Sequence, residues 1–294
     1  MAIIMAKYRV VSINPIRFER TQLKFYIVLL PFLVVVILPI IYIVCSAFKP
    51  MEELLAYPPK FFTYRPTLEN FTKLFEASDN TAFPMSLYLF NSVTVTIAVV
   101  IFGMLFSAAA AYALSKLHFK GRELISKVNT VSMMFVATAV SIPRYLIIKY
   151  VGLLDTFWIN IVPLLATPVV VFLLKQFIDQ VPDTLIEAAK MEGASDYRIL
   201  FRIIMPIIRP ALATSTIVLF QNAWNNTEAS NLFINRDSLK TFAFYMNSLS
   251  MSENGVAGLG LAAASALIMF VPNIVLFMLM QSRVMNTMAH SGLK

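Results

Sequence analysis

The chain of 294 residues is 59% hydrophobic and 14% charged, where soluble domains hold about 45–50% and about 25%. This balance excludes an ordinary soluble domain and an intrinsically disordered chain, and with Cys45 as the single cysteine no intrachain disulfide scaffold can form. A polytopic, all-α membrane protein remains, whose net charge of +8 names no partner until it is divided between the two sides of a bilayer.

Crossing a hydrocarbon core of about 30 Å as a helix takes about 20 apolar residues, with the charges confined to the connections. The gaps between charged residues therefore predict six transmembrane helices, at about residues 25–48, 87–114, 128–148, 156–177, 208–227 and 258–281. Residues 1–24 precede the six-helix domain (25–284), residues 178–207 form a loop inside it, and residues 285–294 form a tail. The first run is 24 residues long with no Ala-x-Ala site behind it, and bulky Val44 precedes Cys45, so it reads as an uncleaved helix. The third run is short, 16 residues between Lys127 and Arg144. Pro143 is expected to bend its far end, with Arg144 snorkelling to the interface or lining a water-filled path.

Six spans put both termini on one side, and the positive-inside rule chooses which. With the N-terminus inside, the inner segments hold 16 of the 24 basic residues and 7 acidic ones, a net +9, while the outer segments hold 8 and 9, a net −1. Both termini are thus predicted to be cytoplasmic, along with residues 178–207.

That loop predicts two helices. Thr184 and Glu187 have the spacing of a capping box just after Pro182, Gly193 stands where a helix would end, and Ser195 or Asp196 can start the next. The second helix runs through Leu200, Phe201, Ile203 and Ile204 toward the fifth span. Ala188 and Ala189 give the first helix a surface of small side chains that another protein can approach closely.

Glu187-Ala188-Ala189, three residues, Gly193, nine residues, Ile203, one residue, Met205 and Pro206 resembles the EAA loop of permease subunits of binding-protein-dependent ABC importers. Met205 stands where leucine is usual. Asn91-Ser92, Trp224-Asn225 and Gln281 are similar to the carbohydrate branch of that family, and the resemblance extends from about residue 25 to 294, nearest to the smaller permease of the maltose-type pair.

The resemblance implies an ABC type I importer permease fold in a bacterial inner membrane, with no catalysis by this chain. It implies a second homologous permease in a heterodimer, two ATPase subunits that hold the ATP and Mg, an extracytoplasmic solute-binding protein, and an oligosaccharide as solute. This chain is expected to bind no cofactor and no nucleic acid. It contains no Gly-x4-Gly-Lys-Ser/Thr phosphate loop, in keeping with an ATP site on another polypeptide. Glu187, Ala188, Ala189, Gly193 and Pro206 would form the coupling helix and its exit, seated in a cleft of the ATPase; Glu187 can also pair with Arg198 or Arg202. In the maltose-type family the tail also reaches the ATPase dimer, although this tail lacks a glycine-rich stretch. Its ending, Met-Ala-His-Ser-Gly-Leu-Lys, is similar to a branch importing plant or algal polysaccharide fragments, including acidic ones such as alginate or pectin oligomers.

Polar residues within or beside the spans are candidates for the solute path: Asn91, Ser92, Gln221, Asn222, Trp224, Asn225 and Asn273, with Thr94, Thr96 and Ser107. Each can equally serve as an interhelical hydrogen bond. His118 and His290 are isolated, so no catalytic or metal-binding set is expected. An ion-gradient-driven secondary transporter is the alternative; such proteins place carboxylates at membrane depth, and no Asp or Glu lies within the six predicted spans.

Overall fold

The computed structural model describes residues 23–79, 83–252 and 256–291. The predicted N-terminal segment lies outside them except for its last two residues, and so do residues 292–294 and the side chains of 283–291, where the expected tail contact with the ATPase falls. The principal helices are α1 (Leu23–Ala47), α2 (Glu69–Asp79), α3 (Met85–Lys116), α4 (Arg122–Ser132), α5 (Ser141–Val151), α6 (Pro168–Asp179), α7 (Asp183–Met191), α8 (Arg209–Trp224), α9 (Phe242–Ser252) and α10 (Val256–Ser291). No strand occurs among the described residues.

The axis of the molecule is α3, whose 32 residues extend about 48 Å at 1.5 Å per residue. Small residues on α3 let its neighbours close in. A Cβ added at Gly103 would meet a Leu219 methyl of α8 at 3.2 Å, and Ser107, Ala108 and Ala111 are buried on the same helix. Val95, Val99, Ala108 and Ala111 of α3 share one apolar core with Val170, Leu174 and Ile178 of α6 and Leu219 of α8. A second core gathers Ala47 of α1, Tyr88 of α3, Trp224, Phe242 and Leu261, with the Tyr88 and Tyr245 rings stacked 4.4 Å apart.

Four helical stretches are long and apolar enough to cross a membrane, Phe25–Ala47, Met85–Lys116, Phe157–Asp179 and Gly258–Ser282, and they cover the first, second, fourth and sixth predicted spans. The fifth is bent: Asp196–Ile207 and Arg209–Leu232 meet at 90°. Pro206 lacks the N–H that would continue the first of these, a π-helical turn at Leu200–Ile204 precedes it, and Pro210 starts α8 in a first turn that needs no donor. The third expected span, 128–148, is not one helix. α4 ends at Ser132, whose hydroxyl donates to the Asn129 carbonyl at 2.7 Å, and after a turn and a tight 3-10 segment at Ala137–Val140 the chain restarts as α5. Pro143 sits in the first turn of α5, where its missing N–H costs nothing, so it helps to start a helix here and does not bend one.

The two ends of α3 fasten different loops. Near its start, Asn91 donates from Nδ2 to the carbonyls of Ser238 and Lys240 at 2.9 and 3.0 Å. At its finish, Lys116 donates to the Val181 carbonyl at 2.6 Å. The segments assigned to opposite faces of the bilayer by charge counting therefore lie at opposite ends of one helix. At the Asn91 end, Arg144 forms a 2.8 Å ion pair with Glu228 beside a cavity of about 520 Å³. Asp155, at φ +57, accepts from the backbone N–H groups of Asn235 and Arg236 at 3.0 Å each. Those amides, led by that of Arg236, and the Arg236 guanidinium hold the Asp155 carboxyl below its usual range.

Candidate coupling loop and polar path

α7 is built for exposure on one side. Pro182 occupies its N-cap with no side-chain bond, and Asp183 opens the first turn where a negative charge complements the helix dipole. The expected capping box of Thr184 and Glu187 does not form, because Pro182 takes the cap and Thr184 already lies inside the helix. The other end follows expectation. Gly193 adopts φ +78, its N–H donates to the Lys190 carbonyl, and the Ala194 N–H donates to the Ala189 carbonyl, each at 2.9 Å. This pair of bonds closes a helix through a left-handed residue, which glycine adopts without strain. Ser195 then accepts from the Arg198 N–H at 3.4 Å and caps the next helical segment, Asp196–Ile199.

Helical geometry splits the Glu-Ala-Ala motif between two faces. Ala189 is buried with Ile186 in the core that also holds Ala111, Tyr112 and Ile204, whereas Glu187, Ala188 and Gly193 are exposed. Met191 is 90% exposed and Leu185 46%. The outward face of α7 thus combines a small residue, two uncovered apolar side chains and one carboxylate. The expected pairing of Glu187 with Arg198 or Arg202 is absent among the described residues. Lys190 instead reaches Asp196 at 3.4 Å, and the same Asp196 oxygen accepts from the Tyr112 hydroxyl at 3.1 Å. Those bonds fold the second helical segment back on α3 and leave Glu187 facing outward.

Residues that sequence reasoning did not single out attach this loop to the bundle. Lys116, its side chain only 7% exposed, bridges the Val181 carbonyl and the Asp183 carboxylate at 2.6 and 2.7 Å. Ser115 donates to Asp179, which also pairs with Lys175 at 2.7 Å. Arg122 donates to the Leu114 and Ser115 carbonyls at 2.8 Å each, satisfying orphan acceptors at the end of α3. The ammonium of Lys116 holds the Asp183 carboxyl below its usual value. A depressed carboxylate stabilises above its unfolded pKa, so this contact is complete at neutral pH and is lost as pH falls through the depressed value. Lys116 marked only a span boundary in the sequence, and nothing in its spacing announced the partner 67 residues away.

The polar residues proposed for a path divide into two groups. Asn91, Ser92 and Trp224 are buried fasteners: Ser92 Oγ accepts from the Phe242 N–H at 2.8 Å, and Trp224 Nε1 donates to the Met269 carbonyl at 3.2 Å. Thr96 and Ser107 are buried too, each with a hydroxyl oxygen that has no hydrogen-bond partner. Replacing Asn91 with leucine is expected to cost about 1–3 kcal/mol, because two loop carbonyls lose their donor, read as a lower thermal midpoint of the purified chain. Gln221, Asn222 and Asn225 instead lie exposed at the end of α8. Asn225 and Asn273 exchange side-chain bonds at 3.3 and 3.4 Å, placing a patch of amides on an otherwise apolar surface of α8 and α10. Among the described residues no group of three or more His, Cys, Asp or Glu could hold a metal ion.

Four helices long and apolar enough to cross a membrane, with a fifth span broken at Ile208 and an exposed loop beside it, have the make-up of a multi-pass membrane component. The family model described as the binding-protein-dependent transport system inner membrane component matches residues 2–282, and the chain belongs to that family of inner-membrane transport permeases. It is 28% identical over 276 residues to an inner membrane ABC transporter permease protein, YcjP, of Escherichia coli, covering 93% of this chain and 97% of that protein. It is 27% identical to the polygalacturonan/rhamnogalacturonan transport system permease protein YtcP of Bacillus subtilis, covering 78% of each. The fold is similar to a chain in the crystal structure of a bacterial ABC transporter involved in the import of the acidic polysaccharide alginate, with a TM-score of 0.73, 21% identity and coverage of 92% of this chain and 99% of that one.

Proposed function

We propose that this chain is one permease subunit of an ATP-driven importer that carries an oligosaccharide from an external binding protein into the cytoplasm. Fragments of acidic polysaccharides are the solutes we favour. The observation that carries the reading is the outward face of α7, exposed at Glu187, Ala188 and Met191, while Ile186 and Ala189 on its other face are buried in the core, Lys116 of α3 ties down its first turn and Tyr112 of α3 holds Asp196 in the segment that follows. A helix anchored at both of its ends passes a push on its exposed face to the bundle. The segment that follows, Asp196–Ile207, meets α8 in a 90° elbow at Ile208 and joins that push to α8, whose far end carries the amide patch.

In this reading two ATPase subunits hold ATP and Mg, and one of them grips α7 on the cytoplasmic side. A second, homologous permease covers the amide face, and a solute-binding protein delivers to the opposite end. The chain binds no cofactor of its own, and both termini are cytoplasmic in the inner membrane. The two-to-one division of basic residues favours that orientation. The relative named for polygalacturonan/rhamnogalacturonan transport supports a carbohydrate, and that name together with the fold shared with an alginate transporter is why we favour an acidic one.

The test is uptake of labelled oligogalacturonate or alginate oligomers by liposomes containing this chain with its neighbouring permease, ATPase and binding protein. ATP-dependent uptake that survives ionophores is expected; uptake that needs only an ion gradient would establish the secondary-transporter alternative. Replacing Asn225 and Asn273 together with leucine is expected to raise the solute concentration for half-maximal uptake at an unchanged thermal midpoint. A lower midpoint with unchanged solute dependence would mark the pair as helix packing.

A further inference from the structure

α4 inverts the usual arrangement of an amphipathic helix. Its polar stripe faces the protein, with Arg122 on the carbonyls that end α3 and Asn129 donating to the Pro168 carbonyl at 3.2 Å. Its apolar stripe, Leu124, Val128 and Val131, is exposed, and no residue of the helix is buried. A helix in water would be destabilised by this orientation; one surrounded by acyl chains would not. Beside it lies a hollow of about 1100 Å³, bounded by α4, the end of α3 and α6. Its lining carries His118, Arg122, Lys127 and Lys175 against a single acidic residue, Glu123. Arg122 is spent on backbone carbonyls and Lys175 on Asp179, whereas Lys127 has no ion-pair partner among the described residues.

We propose that this hollow binds the headgroup of an anionic phospholipid, its phosphate facing Lys127 and its acyl chains lying along Leu124 and Val131. Basic recesses between membrane helices on the cytoplasmic side suit such headgroups. The apolar stripe running away from the cations supplies what a free phosphate would lack. The hollow adjoins the end of α3 that anchors α7, so an occupied site braces the base of the coupling loop. Assignment to the inner leaflet rests on the orientation proposed above; the headgroup chemistry does not.

The full chain, exchanged into detergent with equimolar phosphatidylglycerol and phosphatidylcholine, would be examined by native mass spectrometry. Preferential retention of phosphatidylglycerol is expected. One basic residue near a membrane surface is worth about a five-fold change in affinity, so Lys127→Glu should reduce that retention by about five-fold or more. Arg209→Gln, a basic position outside the hollow, should leave it unchanged, and matched thermal midpoints would show that both variants are folded. Equal retention of the two lipids, or an unaltered Lys127→Glu variant, would overturn the proposal. So would displacement of the lipid by excess inorganic phosphate, or exclusion of the lipid when the neighbouring permease is bound. Labelling of Lys120→Cys, in a chain whose own Cys45 is replaced by serine, by an impermeant maleimide from the outside of sealed cells would overturn the inner-leaflet assignment and the proposed orientation, independently of the lipid result.

Discussion

Replacing Ala188 with tryptophan is expected to leave the chain folded and inserted while solute-stimulated ATP hydrolysis by the assembled importer falls by at least about ten-fold, the equivalent of about 1.4 kcal/mol of docking energy. Ala188 is exposed, so an indole there meets nothing within the chain, and any loss must come from the surface that docks against it. Ala189 supplies the contrast. It is buried, at 8% exposure, in the core that also holds Ala111 and Tyr112, and tryptophan at that position should destabilise the chain itself by overpacking. Hydrolysis rates with and without solute-loaded binding protein, measured beside thermal midpoints, separate the two. Full stimulation of the Ala188→Trp complex would remove α7 from the docking surface.

The second large effect is expected at Lys116. Methionine keeps the aliphatic stem and removes the ammonium, leaving the buried Val181 carbonyl without its donor. An unsatisfied buried group costs about 1–3 kcal/mol. Because the contact fixes one end of the loop, the cost should appear as local opening. Hydrogen exchange across residues 181–194 is expected to quicken by about ten-fold with little change elsewhere. ATP hydrolysis should then run with less solute moved per ATP, since a loose helix transmits less displacement. Unchanged exchange in that segment would mean that Lys116 does not anchor it.

The loop was legible in the sequence because its signals are local. Gly193 is required by a left-handed backbone position, and Ser195 caps the segment it precedes. Both features depend on neighbours within five residues. Apolar run length likewise located the helices at Phe25–Ala47, Met85–Lys116 and Gly258–Ser282, since length and charge exclusion are one-dimensional properties. The break within residues 128–148 is illegible in the sequence for a physical reason. Composition counts apolar residues and does not register that Ser132 ends a helix while Pro143 helps to start another. The polar path was only half legible. An asparagine in an apolar helix must face something polar, yet sequence cannot say whether that is a loop carbonyl, as for Asn91, or an open surface, as for Asn225. Lys116, Tyr112 and Ser115 stayed hidden because their partners lie more than 60 residues away.

We expect the ATPase to hold the exposed face of α7 on the cytoplasmic side. The most direct measurement places a photo-crosslinker at Met191→Cys, 90% exposed in this chain, with Cys45→Ser removing the only other thiol. A covalent adduct with the ATPase subunit is expected in the assembled importer, with a yield that changes when ATP is added. No adduct in an importer that still hydrolyses ATP, or reaction of this cysteine with an impermeant thiol reagent from outside sealed cells, would contradict it.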